Sequence, residues 1–274
     1  MSKHSRQEKI EALGRVIDTL DRLRVECPWD RKQTNESLRP NTIEEVYELA
    51  DALINSDNTN IAKELGDVLL HVLFYAKIGE EKEEFDIADV ADRLNEKLIF
   101  RHPHIFGTVE ADTPEQVSAN WEQIKLKEKG GNKTALAGVP SSLPSLIKAY
   151  RIQEKAANLG FDWEHPDQVW NKVKEEINEF EEEAIAAPKN EKGKPLPEAR
   201  EALCNEMGDL FFSLVNAARL YGIHPDTALD HTCRKFIHRF NHIEQRAKEQ
   251  GRSINELSLE EMDSLWNEAK SRED

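Results

Sequence analysis

The stretch KVKEEINEFEEEAIAAPKNEKGKPLPEAREALCNEMGD, residues 172–209, reads as two helices joined by a polar loop. Val173, Ile177, Phe180 and Ala184, then Leu203, Met207, Leu210, Phe211 and Leu214, recur at steps of three and four, the period of an amphipathic helix and not of a strand. Glu175, Glu176 and Glu179 lie on the first helix, Glu206 and Asp209 on the second. Residues 44–67 repeat the plan with Glu44, Glu45 and Glu48, then Glu64 and Asp67, and a glycine, Gly66 or Gly208, sits inside each second cluster.

Working outward, the order of motifs holds in both halves. EExxE and ExGD are followed by KxxxR (Lys97 with Arg101, Lys235 with Arg239) and then WxxxK (Trp121 with Lys125, Trp266 with Lys270). Helical periodicity covers residues 5–25, a helix capped at Thr42 with Ile43, Val46, Tyr47, Ala50, Leu53 and Ile54 as its buried stripe, and a helix over 61–78 that buries Leu65, Val68, Leu69, Val72 and Leu73. Further helices are expected over 86–100, 114–128, 146–158, 169–187, 199–221, 226–249 and 258–270. CPWDRKQTNESLRP and GFDWEHP break the pattern at matching places, and no segment alternates as a strand does. The expectation is an all-α chain of two tandem four-helix-bundle-type domains, 1–130 and 145–274, joined by a Gly/Pro/Ser-rich linker at 131–144.

The 274 residues, 38% of them hydrophobic, suffice for two cores. Net charge is −16, from 37 basic and 53 acidic residues, which argues against nucleic-acid or membrane-surface partners, since both attract a basic field. Cys27, Cys204 and Cys233 form neither a paired metal spacing nor an even disulfide framework, so a cytoplasmic location is expected. No apolar run approaches the roughly 20 residues of a membrane span.

An isolated EExxE is an ordinary solvated helix face, and Glu80, Glu81 and Glu84 supply one. The repeated clusters differ because like charges three and four residues apart repel, and two facing helices that both carry them invite a cation. Carboxylates with no cysteine suit Mg²⁺, with Mn²⁺ as substitute, and such an ion commonly leaves positions for substrate phosphates. His71, whose counterpart is Ser213, is expected to be a satisfied core histidine and not a ligand. Two readings compete: a di-metal oxygen-activating bundle, disfavoured because Asp67 and Asp209 stand where its histidines belong, and a helical dimerisation scaffold with acidic faces.

EExxE followed by ExGD, twice, with CPWDRKQTNESLRP, RHPHIFG, GFDW and KFxxRF, resembles the MazG nucleoside triphosphate pyrophosphohydrolases over nearly the whole chain. The resemblance implies a homodimer and Mg²⁺-dependent hydrolysis of a nucleoside triphosphate to monophosphate and pyrophosphate, as nucleotide-pool housekeeping. It places metal ligands at Glu176, Glu179, Glu206 and Asp209, with Glu175 or Glu176 activating water, and nucleotide contacts at Lys172, Lys235, Arg239 and Trp266. Glu45, Glu48, Glu64 and Asp67 complete a first-half metal set. Relatives carry a lysine shortly before the second ExGD, where this chain reads AREALCN, with Arg200 or Lys194 as the nearest substitutes.

Overall fold

A computed structural model of the chain describes residues 3–113, 116, 117, 124, 134 and 136–272. Among them there is no strand; the one β-type pairing is an isolated antiparallel bridge between Lys189 and Pro195. The chain divides into two compact units, Met1–Glu110 and Ala111–Asp274. Most of the helix expected at 114–128, Trp121 and Lys125 included, lies outside the described residues, as does part of the 131–144 linker.

The first unit holds α1 (Arg6–Glu26), α2 (Asn35–Ile54), α3 (Asn58–Glu81), α4 (Ile87–Arg101) and the single turn α5 (Pro103–Phe106). The second holds α6 (Ser145–Ala157), α7 (Val169–Ala186), α8 (Arg200–Leu220), α9 (Pro225–Glu249) and α10 (Leu259–Lys270). Within each, one helix pair is most closely packed, α2 along α3 and α7 along α8.

The start of α2 corrects the sequence reading. Thr34, not Thr42, is its N-cap, in a reciprocal pair with Ser37, and Pro40 lies inside the helix instead of ending the loop before it. A proline early in a helix forfeits one hydrogen bond, here the one its N–H would give to the Glu36 carbonyl. Thr42 faces inward, its Oγ1 2.6 Å from the Tyr75 hydroxyl and 2.9 Å from His71 Nδ1. His71 is thus the satisfied, buried histidine expected, and burial pushes its pKa down, favouring the neutral ring.

The expected buried stripes are the larger correction. The α1–α3 core is Leu20, Leu38, Leu73, Phe74 and Ile78, whereas Ile43, Val46, Tyr47, Leu53, Leu65 and Val72 are exposed. In the second unit Val169, Val173 and Ala217 form the core between α7 and α8, and Ile177, Phe211 and Leu214 are exposed. A separate cluster of Ile243, Ala247 and Leu257, with Trp266 against it, joins α9 to α10.

Glu81 is more than a solvated charge. Arg24, 8% exposed, donates Nε to Glu81 Oε1 at 2.8 Å and Nη2 to Oε2 at 2.5 Å, while its Nη1 reaches the Asp30 and Gln33 carbonyls of the CPWD turn. That pairing holds the Glu81 carboxyl below its ordinary range, so its stabilising contribution is present above the unfolded-state pKa and is lost as pH falls through the folded value. Glu81→Gln should therefore lower the stability of the first unit by about 1–2 kcal/mol at pH 7, a figure reduced for the solvent exposure of Glu81. In urea unfolding the gap between variant and wild type should close as pH drops below about 4. A gap unchanged at low pH would refute the linkage.

Candidate active site

Glu176 follows Val169 by seven residues and Val173 by three, so the period that buries those valines also turns Glu176 inward, where it is 5% exposed. Glu179 stands one turn on, and Glu206 faces both from α8. Carboxylate oxygens of the three lie within 4.8 Å of one another. Desolvation, then the charge of Glu176, pushes the Glu179 pKa up. Lys172 Nζ lies 2.8 Å from Glu175 Oε1 and 2.7 Å from Glu176 Oε1, and these hydrogen bonds raise its own pKa.

The first unit builds the same group from Glu45 and Glu48 on α2 and Glu64 on α3, again within 4.8 Å. Glu64 is 5% exposed; its Oε1 takes Lys63 Nζ at 2.8 Å, while its Oε2 is buried without a partner. Burial, then the charges of Asp67, Glu48 and Glu64, raises the pKa of Glu45. Leaving a buried carboxylate oxygen unpaired costs on the order of 1–3 kcal/mol, and gathering like charges adds to it. A hard divalent cation fits this donor set, since it offsets both penalties and takes oxygen ligands alone. Asp67 and Asp209 stand outside the three-oxygen groups. Asp67 is 3.7 Å from Lys63, and Asp209 faces a cavity.

That cavity lies wholly in the second unit and measures about 760 Å³, within the roughly 300–1,000 Å³ of small-molecule sites. Glu176, Asp209 and Lys172 line it together with the Asp162–Arg219 ion pair, and Ile152, Phe161, Trp163 and Phe212 form much of its apolar wall. Its polar members are held in place. Asp162 takes Arg219 in a two-pronged pair, Arg219 holds the Asn216 Oδ1, and Gln153 donates Nε2 to the Phe212 carbonyl at 2.8 Å. In the first unit the corresponding register is filled: Phe74, seven residues after Asp67 as Asn216 is after Asp209, is 3% exposed and packed in the core.

The structure brings together Glu176, Glu179, Glu206 and Lys172, and likewise Glu45, Glu48 and Glu64. It does not bring Lys235, Arg239 and Trp266 to the cavity wall. The Arg239 guanidinium lies 5.3 Å over the Trp266 ring, Phe236 packs beside that ring at 5.1 Å, and Lys235 is exposed. Sequence reasoning missed Gln153, Asn216 and Arg219. Asn216 and Arg219 did carry a signal, a polar residue inside the apolar helical run LFFSLVNAARL, whereas Gln153, among Arg151, Glu154 and Lys155, carried none.

The sequence profile of the MazG nucleotide pyrophosphohydrolase domain matches residues 33–106 and again 165–244, once over each carboxylate-bearing pair. The nucleoside triphosphate pyrophosphohydrolase/pyrophosphatase MazG of Thermotoga maritima is 42% identical over 93% of this chain and 94% of its own. The nucleoside triphosphate pyrophosphohydrolase of Escherichia coli K12 is 38% identical over 95% and 98%, and Bacillus subtilis YabN is 47% identical over 90% of this chain but 49% of its own length. A profile matched twice, and relatives alike from end to end, follow the same two helix pairs that carry the acidic groups: the chain belongs to the MazG nucleotide pyrophosphohydrolase family.

Proposed function

We infer that this chain hydrolyses a nucleoside triphosphate to the monophosphate and pyrophosphate, and that the second unit does the chemistry. The observation that carries the reading is the meeting, in one unit, of an acidic group with a nucleoside-sized apolar cavity. Glu176, Glu179 and Glu206 would hold Mg²⁺, or Mn²⁺ in its place, with Asp209 as a fourth carboxylate at the cavity. Such an ion supplies positive charge to the phosphates and makes water a better nucleophile.

The chain's own residues do the rest. The triphosphate lies toward Lys172, which exchanges its bonds to Glu175 and Glu176 for phosphate oxygens. Glu175, exposed and released from that lysine, accepts the proton of the water that attacks the α-phosphorus in line, and pyrophosphate leaves. The base rests among Ile152, Phe161, Trp163 and Phe212. Lys235, Arg239 and Trp266, outside the cavity wall, act on the nucleotide only once a second copy or the bound triphosphate draws them in.

The first unit, with its carboxylates assembled and Phe74 where the second has Asn216, is read as a cation-binding partner without a nucleoside site. The exposed stripes on α2, α3, α7 and α8 support a homodimer, since apolar faces of this extent on a helix pair call for a cover. Gly66 and Gly208 point the same way. Beyond its own helix backbone, neither has a heavy atom of the described residues within 4 Å of where a Cβ would stand, so close packing within its own unit does not offset the cost of glycine in a helix, about 1 kcal/mol relative to alanine. Cytoplasmic housekeeping of the nucleotide pool, without nucleic-acid partners, agrees with three free cysteines and the net charge of −16. No helix among the described residues is long and apolar enough to cross a membrane.

Incubated with Mg²⁺ and mixed NTPs and dNTPs, the protein should release monophosphate and pyrophosphate in equal amounts and none in EDTA. Mg²⁺ should raise its melting temperature, and sedimentation should return twice the mass of one chain. Release of nucleoside diphosphate and inorganic phosphate instead would refute attack at the α-phosphorus.

A further inference from the structure

Gln153 is a polar side chain in the apolar part of the cavity wall, on α6 beside Ile152 and one turn before Ala156. It is 6% exposed, and its two amide atoms are in different circumstances. Nε2 donates to the Phe212 carbonyl at 2.8 Å, whereas Oε1 is buried with no hydrogen-bond partner. Turning the amide over would set Oε1 against the Phe212 oxygen, so the bond to Phe212 fixes which atom is left over. That atom is an acceptor.

A buried amide oxygen without a donor is destabilising, and a leucine or methionine of similar size would line an apolar wall without that cost. Among the described residues nothing supplies the donor, which leaves a molecule bound beside it, a water or the occupant of the cavity. Phe161 and Trp163, 84% and 41% exposed, line the same space and offer ring faces to a flat heterocycle.

We propose that Gln153 is a base-reading residue, whose Oε1 accepts a hydrogen bond from an N–H on the pairing edge of the nucleobase held in this cavity. The proposal rests on the hydrolase reading above and adds the group that orients the base. A ribose hydroxyl is the other donor a nucleotide carries. The aromatic setting favours the base, and the test separates the two.

The experiment compares kcat/KM for nucleotides matched except for that N–H: ATP against purine riboside triphosphate, and CTP against 2-pyrimidinone riboside triphosphate, with dATP as the ribose control. In the wild-type protein the nucleotide bearing the N–H should be preferred about tenfold or more, chiefly through KM. In Gln153→Leu each pair should agree within about threefold. Wild-type protein that hydrolyses both members of each pair equally overturns the proposal and leaves the hydrolase reading intact. So does a variant that keeps the full preference, or one whose effect follows dATP against ATP instead of the base. No hydrolysis of any triphosphate overturns the hydrolase reading itself. The wild-type comparison needs no variant, so a Gln153→Leu protein that fails to fold still leaves the proposal open to refutation.

Discussion

Glu176→Ala should lower kcat for pyrophosphate release by at least about 10³-fold, while Glu45→Ala, its counterpart in the first unit, should stay within about threefold of wild type. Both glutamates lie in a three-carboxylate group, so an account based on local charge alone gives the two substitutions the same result. The difference comes from what adjoins the group. Glu176 lines the cavity; Glu45 belongs to a unit whose equivalent register is closed by Phe74. Loss of fold is not the expected route to the loss of activity, because Glu176→Ala removes a buried carboxylate from a repulsive set and leaves Lys172 paired with Glu175. Its melting temperature in EDTA should equal or exceed that of wild type, and the rise on adding Mg²⁺ should shrink. A Glu176→Ala protein with kcat within tenfold of wild type would remove this carboxylate from the chemistry.

Much of this was legible in the sequence for a physical reason. A helix declares itself by the spacing of its apolar residues, so every described α-helix longer than one turn was foreseen, α7 and α8 to within a residue or two, whereas the single turn α5, too short to show a period, was not. The acidic groups were equally legible, since carboxylates three residues apart on two successive helices must converge if the helices pair. Less legible was which face of each helix the chain itself covers. Val46 and Tyr47 have the same periodic credentials as Leu38, yet Leu38 is buried against Leu20 of α1 while the other two are about half exposed, at 50% and 55%. Periodicity reports an apolar face and is silent about its cover. Thr42 misled for a similar reason: a threonine three residues before a glutamate satisfies the capping pattern, but Thr34 and Ser37 satisfy it earlier, and Pro40 sits near enough to the helix start to be tolerated. The cavity was the least legible feature, because Gln153, Asp162 and Asn216 come from two helices and a turn spread over some sixty positions.

Asn216→Phe tests the claim that the two units differ by a filled cavity. Asn216 and Phe74 share a register, each seven residues beyond the aspartate of its ExGD motif, and each lies on the second helix of its pair. Phe74 is packed with Leu20, Leu38, Leu73 and Ile78, whereas Asn216 lines open space and has its Oδ1 held by Arg219. A phenyl ring at 216 would lie among apolar wall residues and occupy room that the base requires, so kcat/KM should fall at least about 100-fold, mainly through KM. The acidic group is left whole, and the rise in melting temperature with Mg²⁺ should therefore persist in a protein that no longer turns over nucleotide. That separation of cation binding from catalysis is the state assigned to the first unit, so the variant gives the second unit the first unit's character. The converse change does not restore function. Phe74→Asn takes an aromatic ring out of a formed core and buries an amide there, which should destabilise the first unit by about 3–5 kcal/mol in urea unfolding without adding activity. If Asn216→Phe kept wild-type KM, the base would have to bind elsewhere, and the difference between the units would lie in some feature other than the cavity.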